Sequence, residues 1–94
     1  MNQKYIFQVF VAGIAPDTQT MIVDLKDQLS NTLGDNAYSL KVVDVLAMPQ
    51  LAEEEHILAT PTIVRTSPIP VKKIILNINK KTADMPGLEL ILED

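Results

Sequence analysis

The chain contains no cysteine. No disulfide can brace it, and thiol–disulfide exchange is excluded because that reaction runs through a thiolate. A reducing cytoplasm suits such a composition. Histidine occurs once, at His56, directly after Glu53, Glu54 and Glu55. A Ser-His-Asp arrangement would have to use it as its base, and its place on an acidic helical face fits a surface or partner contact better. The consecutive glutamates do not converge on one point of a helix, so they read as a solvated helical start rather than a metal site. Gly13 and Gly34 stand in no phosphate-binding pattern. No apolar run approaches the roughly 20 residues that cross a bilayer. The start Met1-Asn2-Gln3-Lys4-Tyr5 lacks the parts of a secretory leader. The expected location is the cytoplasm, and no cofactor is expected.

With 94 residues, 47% of them hydrophobic, the chain suits one domain spanning residues 1–94 with one modest core. The formal net charge of −4 argues against nucleic acid as the main partner. Charge is unevenly spread. Arg65, Lys72, Lys73, Lys80 and Lys81 cluster in the second half, while acid collects at Asp24 and Asp27, at Glu53 to Glu55 and at Glu93-Asp94. Two readings stand: a solvated mixed surface, or a basic edge that docks on an acidic protein surface.

Tyr5 to Ala12 is aromatic and β-branched without a breaker, which predicts a buried first strand. Pro16 suits a first helical turn, and Met21, Ile22, Leu25, Leu29 and Leu33 recur on one helical face up to a stop at Gly34. Tyr38 to Leu46 predicts a second strand whose near-continuous apolar second half suits an inner position. Strand, helix and strand make a βαβ unit with parallel strands. Pro49 opens a short helix expected to run to Leu58, with Leu51, Ala52 and Ile57 or Leu58 inward and its glutamates early, where the dipole favours them. Thr62 to Thr66 and Val71 to Ile78 predict strands on either side of the turn Ser67-Pro68-Ile69-Pro70. Leu88 to Leu92 fits a strand and a helix equally well. Asp44, inside an apolar strand, is expected at an exposed strand end or paired with Lys41 or a later basic residue. Tyr5 and Tyr38 are expected at sheet edges with their hydroxyls in water.

Thr60-Pro61-Thr62, between a short acidic helix and an apolar strand, is similar to the corner that in thioredoxin-like folds carries a cis-proline beside the functional surface. In enzymes of that fold the nucleophile sits between the first strand and first helix. Here that loop is Ala12-Gly13-Ile14-Ala15-Pro16, with no thiol, hydroxyl or imidazole. Val9 to Gly13, Leu40 to Leu46 (LKVVDVL), Pro49 to Thr62 (PQLAEEEHILATPT), and Pro68-Ile69-Pro70 with Val71-Lys72-Lys73-Ile74-Ile75 resemble the bacterial clock family KaiB over nearly the whole chain.

That resemblance implies an α/β, thioredoxin-like βαβ core with a short second helix and a metamorphic C-terminal half. It implies a non-enzymatic regulator that binds a KaiC-type ATPase and changes its phosphorylation cycle, and that exchanges between a self-associating dimer or tetramer and a monomeric binding state. The sequence departs from the clock members at Ile69, where they have a proline, at Leu76 to Asn79, at Thr20, where they tend to have a basic residue, and at Pro86, where they have an aliphatic one. The partner surface is expected around the second helix and following edge, at Glu53, Glu54, His56, Arg65, Lys72 and Lys73. Pro61, Pro68, Pro70 and Gly87 are the candidate switch residues, X-Pro bonds exchanging isomers on the order of tens to hundreds of seconds. A self-assembling protein with a different or no ATPase partner is the alternative.

Overall fold

A computed structural model describes residues 4–76 and 88–92. Their elements run β1 (Tyr5–Val11), α1 (Pro16–Leu33), β2 (Tyr38–Asp44), α2 (Pro49–Glu54), β3 (Thr62–Ser67), β4 (Lys72–Ile75) and α3 (Leu88–Leu92). The sheet order is β2-β1-β3-β4. β1 and β2 are parallel from Tyr5↔Tyr38 to Val11↔Asp44, and β1/β3 and β3/β4 are antiparallel. This is the thioredoxin-like arrangement expected from the sequence.

β1 lies inside the sheet because it can bury both faces. Phe7, Val9 and Val11 turn to one side, where Met21, Leu25 and Leu29 of α1 and Leu88 and Ile91 of α3 meet them. Phe10 turns to the other side and packs with Val43 and Val64 under Val45, Leu51 and Ile57. α1 opens with Pro at its first position, which removes a backbone donor that would have no partner there. It closes at Gly34, whose φ of +93° disfavours a side chain and whose N–H donates to the Ser30 carbonyl at 2.9 Å.

Several expectations need correction. β2 is an edge strand, not an inner one: its apolar second half is explained by the packing of Val42 and Val43 under the helices, and Leu46 beyond it is 72% exposed. The tyrosine hydroxyls serve the fold. The Tyr38 hydroxyl pairs with the Ser30 hydroxyl at 2.8 Å and donates to the Lys26 carbonyl at 3.1 Å, and Tyr5 donates to the Leu92 carbonyl. The C-terminal run is a helix, with Leu88 and Ile91 buried and Leu90 turned outward. Its i, i+3 spacing fits the space over the sheet. Residues 77 and 78 of the expected last strand lie outside the described residues.

α3 has five residues, far fewer than an isolated helix needs, and its end is held by side chains from the strands. Tyr5 of β1 donates to the Leu92 carbonyl, Arg65 Nη1 of β3 to Ile91 at 3.1 Å, and Lys72 Nζ of β4 to Leu90 at 3.2 Å. Among the described residues these carbonyls have no partner within the helix, and its negative dipole end favours the cations. Arg65 is fully buried; its guanidinium lies 5.9 Å from the Tyr5 ring centre, and Nη2 donates to the Pro70 carbonyl at 3.0 Å. Replacing Arg65 with Met leaves the Ile91 and Pro70 carbonyls without these donors. It is expected to lower stability by about 2–4 kcal/mol, read from urea unfolding, with faster hydrogen exchange at the Ile91 and Leu92 amides than in the native chain.

Candidate functional site

The segment after α2 decides the shape of the site. The helix ends four residues earlier than its expected limit of Leu58, at Glu54, because His56 takes a left-handed φ of +56°. His56 N–H donates to the Glu53 carbonyl at 3.1 Å and Ile57 N–H to Ala52 at 2.9 Å. That paired pattern is a Schellman cap, whose left-handed position usually holds glycine. Glu53 and Glu54 therefore sit at the C-terminal end of α2, not in a first turn favoured by the dipole. Past the cap, Ile57 folds back onto Phe10, Val43 and Val64, while Leu58 points outward at 96% exposure.

The chain then turns at Pro61, which is buried and follows a cis peptide bond, as expected of that corner. Thr62 Oγ1 donates to the Ala59 carbonyl at 2.6 Å and fixes the turn. Between this loop and β4 lies an open groove of about 230 Å³, lined by His56, Leu58, Ala59, Thr62, Lys73, Ile74 and Ile75. Lys73 Nζ donates across it to the Glu55 carbonyl. Ile75 stands 64% exposed at its rim. The groove joins an apolar floor to a basic wall, and its one hydroxyl, that of Thr62, is already bonded to the backbone. Such a surface can hold a side chain of a partner.

The groove brings together only His56 and Lys73 of the expected contacts, with Glu53 and Glu54 exposed on the adjoining helix. Arg65 is a correction: an arginine with no exposed surface, bonded to the backbone on the opposite sheet face, offers nothing to a partner in this conformation. Lys72 also turns to that face, toward α3. Pro68 is buried and Pro70 exposed in the turn, both after cis bonds, and Gly87 lies outside the described residues. Leu58 and Ile75 were missed as candidates. Nothing in their spacing marks them: Leu58 lies past the end of α2, and Ile75 sits within the apolar run Ile74-Ile75-Leu76.

A second feature sits toward the opposite edge of the sheet, at the same end of the strands as the Pro61 corner. Asp44 stands at the end of β2, one of its two expected settings, and among the described residues no ion pair joins it to Lys41 or a later basic residue; its Oδ1 accepts from Gly13 N–H at 2.9 Å and Leu46 N–H at 3.0 Å. It thereby binds the loop after β1 to the loop after β2. Gly13 has φ +80°, and a Cβ built there would lie 3.6 Å from the Leu46 side chain, so backbone conformation rather than space calls for glycine.

Asp44→Asn retains a carbonyl acceptor for both N–H groups and is expected to be near neutral, whereas Asp44→Ala loses about 1–3 kcal/mol, measured by thermal unfolding. His56→Gly relieves the left-handed backbone and is expected to stabilise the chain by about 1 kcal/mol, read in the same experiment.

Comparison with known proteins agrees with this geometry. Residues 8–89 match the family model described as KaiB domain. The circadian clock oscillator protein KaiB of Prochlorococcus marinus subsp. pastoris is 41% identical over 93 residues, covering 99% of this chain and 86% of the relative. The protein of the same name from Nostoc punctiforme is also 41% identical over 93 residues, covering 99% and 88%. Among solved structures, the N-terminal domain of Synechococcus elongatus SasA superposes with a TM-score of 0.70 at 27% identity, over 83% of this chain and 72% of that one. Mitochondrial thioredoxin 3 of Saccharomyces cerevisiae shares the fold, with a TM-score of 0.61 at 22% identity over 78% and 67% of the two chains. By the span of the matched model and the identity to both relatives, the chain belongs to the KaiB family.

Proposed function

We propose that this chain is a non-enzymatic, clock-type regulatory protein of the cytoplasm that binds a KaiC-type ATPase and modulates its phosphorylation and ATPase state. The observation that carries this reading is the 41% identity across 99% of the chain to a protein named for the circadian clock oscillator. The site supports it. The loop that would hold a thioredoxin-like nucleophile contains only Ala12, Gly13, Ile14 and Ala15 before Pro16, and it is braced by Asp44. The groove beside Pro61 offers apolar contact at Leu58 and Ile75 and charge at Lys73. Burial of such exposed apolar side chains at the centre of an interface is where binding energy concentrates.

The described arrangement is, on this reading, the partner-binding state. A short α3 held by three side chains is suited to release, since two packings within a few kcal/mol suffice for a switch. Two slowly exchanging amide populations over residues 62–76 and 88–92 are expected in hydrogen exchange; a single population argues for one fixed fold.

The principal test is co-elution with a KaiC-type ATPase on size exclusion, with nucleotide present and several hours of incubation. A complex is expected, and Leu58→Glu should weaken it by at least about tenfold while leaving the unfolding midpoint unchanged. No complex with the native chain overturns the reading. Light scattering across dilution addresses the alternative: an oligomer that persists at nanomolar concentration and never yields monomer favours a self-assembling protein.

A further inference from the structure

β4 lies at one edge of the sheet, and among the described residues no strand pairs with its outer side. The direction of its backbone groups follows from one bond. Leu76 N–H donates to the Pro61 carbonyl at 2.8 Å. Bonded and non-bonded pairs alternate in an antiparallel ladder, so with the register Ile63↔Ile74 and Arg65↔Lys72, Leu76, Ile74 and Lys72 turn their N–H and C=O groups to β3. Lys73 and Ile75 turn theirs outward. These same residues place their side chains in the groove with His56 and Leu58. An outward backbone ladder and a side-chain groove therefore coincide on the same two residues.

The geometry points to the outer edge of β4 as a strand-addition site for an extended segment of a partner protein that carries an apolar residue and, two positions later, a carboxylate. An added antiparallel strand runs opposite to β4, so its residue facing Ile75 comes first and its residue facing Lys73 comes two positions on. Both lie on the groove side of the sheet. The first side chain enters the groove against Leu58 and Ile75. The second meets the Lys73 ammonium. Main-chain bonds supply affinity, and the two side chains supply selection.

Charge decides between this occupant and a second copy of the chain. Two copies of β4 paired about a two-fold axis with Lys73 inside the ladder place Lys73 opposite Lys73 or opposite Ile75; an axis centred on Ile75 leaves Lys73 facing a position beyond the end of the strand. Like charges directly opposite destabilise a ladder, and the other registers give the lysine no anion. Lysine on an edge strand is a common guard against self-pairing; an acidic segment satisfies it. The inference uses the groove assigned above to the ATPase contact, but it does not depend on the ATPase being the partner.

The test uses the full chain alone with a synthetic, end-blocked peptide of nine residues in a threonine and valine background, with leucine and glutamate two apart. In NMR titration the amide protons of Lys73 and Ile75 are expected to shift most, with Ile74 and Leu76 between and beside them shifting less. Lys73→Glu should weaken the peptide by at least about tenfold, and a peptide with lysine in place of glutamate should recover binding to that variant. Ile75→Pro removes an outward N–H while sparing the ladder to β3, and should abolish binding with the circular dichroism unchanged. The proposal is overturned if glutamate and lysine peptides bind the native chain equally, if the shifts gather at β2 instead, or if the chain dimerises through β4. Since no ATPase is present, failure here leaves the ATPase reading standing, and a failed co-elution leaves the edge site standing.

Discussion

A cation removed from water must find acceptors inside the protein, and the buried guanidinium of Arg65 finds them in backbone carbonyls of two separate segments. One side chain on β3 thus holds the end of α3 and the turn before β4 in fixed relation. The Tyr5 ring beneath it joins β1 to the same cluster. Leu88 and Ile91 supply apolar area for α3, but apolar area is non-directional. The donors from Tyr5, Arg65 and Lys72 set where the helix ends and which way it points. The register of the C-terminal elements follows from meeting the needs of one buried charge.

The two faces of the sheet are covered unequally, and that inequality locates the binding surface. α1 and α3 roof one face over a large cluster, whereas α2, six residues long, covers Phe10, Val43 and Val64 on the other. The early stop at His56 releases the chain into the loop that forms one wall of the groove, with Leu58 turned outward. Strain at one backbone position and an open surface beside it are therefore aspects of the same local choice.

Much of this was legible in the chain. Tyr5 to Val11, the α1 face of Met21, Leu25 and Leu29, and the stop at Gly34 follow from periodicity and capping, which act over a few residues. The cis corner and the thioredoxin-like core followed from resemblance, while the strand order came only with the structure. What was not legible depended on distant partners. A left-handed histidine has no sequence mark when glycine is the usual signal. The edge position of β2 hides behind residues apolar enough for an inner strand. Arg65 looks like a surface charge in a basic cluster until the carbonyls of Ile91 and Pro70 are placed around it. Asp44 stood out as anomalous, but the donors it serves lie in loops that pattern alone does not bring together. Of the candidate site, His56 and Lys73 were found from charge, and Leu58 and Ile75 were passed over because exposed apolar residues carry no distinctive spacing.

Asp44 has a consequence for how this frame can vary. It grips the loop after β1 through a main-chain N–H rather than through any side chain. The side chains of Ala12, Ile14 and Ala15 are turned to solvent and contribute little to holding that loop in place. Contour and reactivity are thereby separable at the end of the strand: one carboxylate keeps the platform in register, and what is mounted on it is free to change without rebuilding the support.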